Sequence, residues 1–206
     1  MTDCFDRIVE RFVLSSNGFE RTLRAVRPGQ WDRPTPCAEW NVRRLVNHVV
    51  RGNLNYVHLV RGGTGTEFLR QRDVDALGTD PVTAFTRSVS TCAAAFSRPG
   101  ALQQELDYPL GQVAGQQALA VRTTDTTIHT WDLARAVDVE ETLDPGLVAW
   151  ITDHLGEIYA DLPETPTASH TTHRFFAAPR SNSADDVSQQ DRLLVLMGRN
   201  PWFSGH

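Results

Sequence analysis

Lysine is absent from this chain: all 20 of its basic residues are arginine. Arginine stays protonated near neutral pH, so chemistry that needs a lysine amine is excluded, pyridoxal phosphate attachment and the P-loop lysine among it. The bias itself reads as genomic, from GC-rich codons, and carries no mechanism. Cysteine is scarce. The three, Cys4, Cys37 and Cys92, are widely spaced with no CxxC pair, which excludes a zinc ribbon and a disulfide framework. No run of 18 apolar residues occurs, so no membrane span is expected. The opening MTDCFDRIVERF is charged and amphipathic, unlike a signal or transit peptide, and a cytoplasmic protein is expected. A net charge of −5 argues against a surface that tracks nucleic-acid phosphates. GxSxG, a P-loop and a GxGxxG between strand and helix are all missing.

What is present suits one soluble domain over residues 1–206, with 40% hydrophobic and 22% charged residues and enough apolar material for a core. Apolar residues recur at helical spacing, and no segment keeps up strand alternation. Residues 4–26 carry Phe5, Ile8, Val9, Phe12, Val13, Phe19 and Leu23 on one stripe, stopped by Pro28-Gly29. A second helix over 41–61 follows a loop with Pro34 and Pro36, with Asn41 as its cap. Asp80 and Pro81 open a third over 80–98. Residues 101–115 read as a loop with a short extended piece. A fourth helix covers 116–137, and a fifth starts with Asp144 and Pro145. The stretch 163–189 is rich in Pro, Ser and Thr and reads as irregular, and a last short helix carries DRLLVLMGR. The fold class is all-α: an antiparallel four-helix bundle with a C-terminal extension over 144–206 that adds further helix and an irregular tail.

Three residues on this frame have the chemistry of a metal site. His48 lies beside the apolar face of the second helix. Asp125 and His129, in RTTDTTIHTWDLAR, are four apart and share one face of the fourth. An imidazole and a carboxylate at that spacing can reach one ion, and bundle cores build metal sites from facing helices. With His48 the set is two nitrogens and one carboxylate, the number of protein ligands found in catalytic zinc sites. An ordinary core histidine and an intrahelical polar pair explain the same residues without an ion. Asp132, three residues beyond His129, is a rival ligand or a partner that orients a histidine or an arginine such as Arg135. Cys92 reads as a packing thiol, and Cys4 as lying near the frayed start of the first helix. Cys37 stands in the loop before the second helix, where a helix N-terminus can lower a thiol pKa. His58 is about 15 Å along the helix axis from His48. His154 reads as solvated, His170 and His173 as loop residues, and His206 as uninformative. The five tryptophans read as packing anchors.

TPCAEWNVRRLVNHVV at 35–50 resembles a signature of the mycothiol-dependent maleylpyruvate isomerase N-terminal domain family, within the DinB-like superfamily. IHTWDLARAV at 128–137 resembles its second signature. DRLLVLMGRNPWF resembles the closing motif of an actinobacterial metal-binding branch. The resemblance implies a DinB-like bundle whose helices give three ligands to a divalent ion, zinc as a rule and nickel as an option. The family's ligands fall here on His48, Asp125 and His129. Asp125 stands where relatives often have Glu or His, and its shorter reach is expected to weaken the site. The resemblance also implies a mycothiol-like low-molecular-weight thiol as cosubstrate, an electrophilic small molecule as its acceptor, and a homodimer as an option.

On this reading the chain is a thiol-dependent S-transferase or isomerase, with Arg122 and Arg135 available to bind carboxylates of thiol or acceptor. The alternatives are a non-catalytic DinB-like small-molecule binding protein and a metal-free cyclase or isomerase of secondary metabolism. DNA binding ranks last, because the chain is acidic.

Overall fold

The computed structural model describes residues 4–162 and 187–202. Four long helices form its body: α1 (Ile8–Arg24), α2 (Val42–Val60), α4 (Pro81–Phe96) and α5 (Gly115–Val137). Helices α1 and α2 each pack against both α4 and α5. Three short elements join or extend them: α3 (Gly65–Gln71), α6 (Pro145–Ile158) and α7 (Gln189–Leu196). Strands β1 (Glu105–Tyr108) and β2 (Gly111–Ala114) pair antiparallel as a hairpin, so the extended piece expected within 101–115 is two strands. Gly111 turns the hairpin at φ 132, a conformation that side chains rarely adopt.

The helix ends follow local chemistry. Asn41, Asp80 and Asp144 each accept a backbone N–H three residues on, satisfying donors that the first turn leaves without a partner. The first helix begins at Ile8 rather than residue 4, because Arg7 takes a left-handed φ of 53. Helix α3 was not expected from the sequence. Its seven residues are too few for a period to show, but Thr64 and Glu67 form a capping box at its start.

Two apolar clusters fill the bundle. One gathers Phe12, Leu59, Phe96, Leu119, Ile128 and Trp131. The other holds Phe19, Leu45, Val49, Phe85 and Leu133. Helix α5 is the central element, and 19 of its 23 residues are buried. Many of them are polar. Thr123, Thr124, Thr127 and Thr130 satisfy their hydroxyls on carbonyls four residues back, which makes a buried threonine tolerable on a helix. No helix among the described residues is long and apolar enough to cross a membrane.

The C-terminal extension packs through α6 on α5 and through α7 on α6. Trp150 of α6 donates from its indole to the carbonyl of Cys4 at 2.9 Å, so Cys4 is buried rather than frayed. Residues 163–186, with His170 and His173, and residue His206 lie outside the described residues.

Candidate metal centre

Helix α2 carries His48, and α5 carries Asp125, His129 and Asp132. Because α2 and α5 pack side by side, the two sequence segments meet. His48 Nε2 lies 3.3 Å from Asp125 Oδ2, and His129 Nε2 lies 3.3 Å from Asp125 Oδ1. One ligand atom from each of the three residues lies within 4.8 Å of the other two. The imidazole rings meet edge to face, 5.0 Å between centroids. Trp40, from the loop before α2, packs beside both rings at 4.6 and 5.7 Å.

Each of these groups is held by another. Arg122 donates to Asp125 Oδ2 at 2.7 Å, to Asn53 at 2.9 Å and to the carbonyl of Val49 at 3.1 Å. Asp132 accepts from His129 Nδ1 at 2.8 Å, which leaves Nε2 as the nitrogen turned toward Asp125. Histidine ligands are oriented in this way by a carboxylate on their far nitrogen. Asp132 in turn accepts from Arg199 Nε at 3.0 Å and Nη2 at 2.6 Å. Cys37 closes the cluster, with Sγ 3.4 Å from Asp132 Oδ2 and 3.9 Å from His129 Nδ1.

The electrostatics follow from burial and these contacts. Burial favours a neutral Asp125, but His129, Arg122 and His48 together outweigh it and hold the carboxyl well below its usual range. Burial opposes charge on His129 as well, yet Asp125 and Asp132 raise its pKa well above the ordinary value. For His48 burial wins and its pKa falls, with Asp125 opposing. Burial also pushes the Cys37 thiol up, and the Asp132 charge acts in the same direction.

Two imidazole nitrogens and a carboxylate oxygen suit a borderline divalent ion. With Nδ1 held by Asp132, Nε2 is the nitrogen that gives up its proton to present the lone pair such an ion needs. The three residues therefore fit a metal. Cys37, His129 and Asp132 form a second close set, but there the Arg199 guanidinium already lies against both Asp132 oxygens and 3.3 Å from the thiol sulfur. A second cation would meet that charge, so this set is a hydrogen-bonded network. A third set, Cys4, His154 and Glu157, is carried by the chain before α1 and by α6. His154 is half-buried there, 3.3 Å from Glu157, rather than solvated.

The structure thus brings His48, Asp125 and His129 together. Arg122 joins them facing inward, 2% exposed, its donors directed at the chain itself. Arg135 stands apart: it lies over the Trp131 ring at 4.4 Å, pairs with Glu141 at 2.6 Å, and donates to the carbonyl of Pro201. The arginine that Asp132 meets is therefore Arg199, because Arg135 turns back along α5 onto Trp131. Trp40 gave a sequence signal only as a packing residue and within the 35–50 motif, and Arg199 only as part of the closing motif DRLLVLMGRNPWF.

A family model described as the mycothiol maleylpyruvate isomerase N-terminal domain matches residues 14–134, a span that includes His48, Asp125, His129 and Asp132. An uncharacterized protein of Mycobacterium tuberculosis, matched in two strains, is 34% identical over 133 residues, 65% of this chain and 69% of that protein. The crystal structure of the mycothiol-dependent maleylpyruvate isomerase is similar at a TM-score of 0.58 and 15% identity, covering 73% of this chain and 70% of that one. At that identity the likeness is one of fold.

Proposed function

The chain belongs to the mycothiol maleylpyruvate isomerase N-terminal domain family, and from that premise we propose that it is a metal-dependent enzyme using a low-molecular-weight, mycothiol-like thiol. The observation that carries the reading is the convergence of ligand atoms of His48, Asp125 and His129 within 4.8 Å, with His48 and Asp125 on different helices and 77 residues apart in sequence. His48, Asp125 and His129 would hold the ion, zinc or nickel. When bound, a divalent ion there supplies positive charge that favours a cosubstrate's thiolate over its thiol.

The surrounding residues have roles of their own. Asp132 orients His129, and Arg122 fixes Asp125 against rotation. Trp40 lies against both imidazoles and packs them in place. The half-buried His48 marks the side from which small molecules reach the cluster. The reaction class is S-transfer, in which the thiol sulfur bonds to an electrophilic carbon as that carbon's bond to its leaving group breaks, and the thiol proton goes with the leaving group. Its close relative is reversible thiol addition across a double bond, which regains the thiol after the carbon skeleton has turned.

The Arg122–Asp125 pair favours a second reading. A carboxylate already neutralised by a buried guanidinium needs no metal, and the bundle would then be a metal-free binding protein or a secondary-metabolism isomerase. Elemental mass spectrometry on the untagged chain and on His129→Ala separates the two. About one divalent ion per chain, lost in the variant together with thiol-dependent turnover, supports the first reading. Ligand binding or turnover that persists in chelator overturns it.

A further inference from the structure

We propose that Arg199 is a positioning residue for this metal site, acting through Asp132 on the His129 ring, so that the C-terminal helix α7 is a working part of the centre. The inference rests on the metal reading above and extends it to a residue outside the 14–134 span that the family model matches.

Asp132 is fully buried, and a buried carboxylate is costly unless it is paired and hydrogen-bonded. Arg199 meets both of its oxygens, Nε on Oδ1 at 3.0 Å and Nη2 on Oδ2 at 2.6 Å. Two parallel donors fix a carboxylate in rotation as well as in place. The oxygen that takes the shorter of these bonds, Oδ2, also accepts from His129 Nδ1 at 2.8 Å. The torsion that turns an imidazole about its stem is soft, so this hydrogen bond sets where Nε2 points.

The chain delivers Arg199 by a local device. Helix α7 ends at Leu196, and Gly198 takes φ 74. The N–H of Gly198 bonds to Val195 and that of Arg199 to Leu194, at 2.9 and 2.8 Å. This is the Schellman arrangement of a helix end, and it turns the residue after the glycine back over the helix. The guanidinium then reaches inward, is capped by the Met197 carbonyl at 3.0 Å and touches Cys37 Sγ at 3.3 Å. A residue 67 positions from Asp132 in sequence thereby closes the far side of the ligand's support.

The test uses the full chain, with Arg199→Gln and Arg199→Lys as variants, and circular dichroism to show that each keeps its helices. The first readout is the His129 Nδ1–H proton resonance of the metal-free chain, shielded from exchange by its bond to Asp132. It is expected to be sharp in the wild type and broadened beyond detection in R199Q. The second is zinc affinity by competition with a chromophoric chelator, expected to weaken about 10- to 100-fold in R199Q. R199K keeps the charge without the paired donors and is expected to recover part of both. A folded R199Q that retains the resonance and binds zinc as the wild type does overturns the inference. If R199Q unfolds, R199K carries the same two readouts. If the wild type takes up no zinc, the metal reading falls, and the Nδ1–H resonance alone decides the role of Arg199.

Discussion

Arg122 Nη1 lies 2.7 Å from Asp125 Oδ2, with the arginine side chain 2% and the aspartate 13% exposed. The carboxylate that faces both histidines is therefore also held by a buried cation. The guanidinium in turn is locked on Asn53 and the Val49 carbonyl, so it is held in place against the carboxylate.

Removing Arg122 leaves a buried carboxylate with only the two histidines to compensate its charge. Arg122→Met is expected to cost about 3–5 kcal/mol in urea unfolding. Gly52 lies against the same guanidinium: a Cβ there would meet Nη1 at 2.4 Å and Cζ at 2.9 Å. Gly52→Ala is expected to destabilise by about 1–3 kcal/mol, because a locked side chain cannot step aside. The double variant should cost less than the two together, since the Met chain frees the space. Additive losses would show that Arg122 is not what Gly52 accommodates.

The thiols should separate by burial. Burial pushes Cys92 up to about 12, with Arg122 opposing, and the thiolate is the reactive form. Iodoacetamide near neutral pH, read by peptide mass spectrometry, should leave Cys92 and Cys4 unmodified until the chain unfolds. Half-buried Cys37 should react first, though more slowly than a free thiol, since its own pKa is raised. Labelling of Cys92 in the folded chain at the rate seen in urea would contradict this packing.

Glu67 gives a pH signature at the start of α3. The Thr64 backbone N–H, His58 and the Thr64 hydroxyl bring its carboxyl from 4.5 down to about 2. A carboxylate whose pKa is lower in the folded chain adds stability above its unfolded value, and that contribution fades as pH falls through the folded one. The urea midpoints of wild type and Glu67→Gln should therefore differ most above 4.5 and converge toward about 2. A constant offset across that window would mean that the three contacts do not favour the ionised form.

Much of this protein was legible in its sequence, because the signals concerned are local. Asn41, Asp80 and Asp144 mark helix starts through bonds to the third residue on, and the apolar stripe of residues 8–23 needs only the period of a helix. The spacing of Asp125 and His129 places both on one face of one helix, whatever packs on it. The place of His48 beside the apolar face of α2 follows from Leu45 and Val49 in the same way.

Tertiary structure alone decided the rest. Whether His48 meets Asp125 depends on α2 lying against α5. The direction of Arg122 depends on the space at Gly52 and on an acceptor at Asn53, neither of which has a local signature. Arg135, three residues past Asp132, looked like the nearer partner, yet a helix turns its side chains by position, and the Trp131 face and Glu141 take it. The partner of Asp132 comes instead from 67 residues away, by a chain reversal after α7 that only the assembled bundle brings to its target. Periodicity and capping act within a turn or two of chain. Ion pairs between distant segments depend on how the helices pack, and that is where the support of this centre was settled.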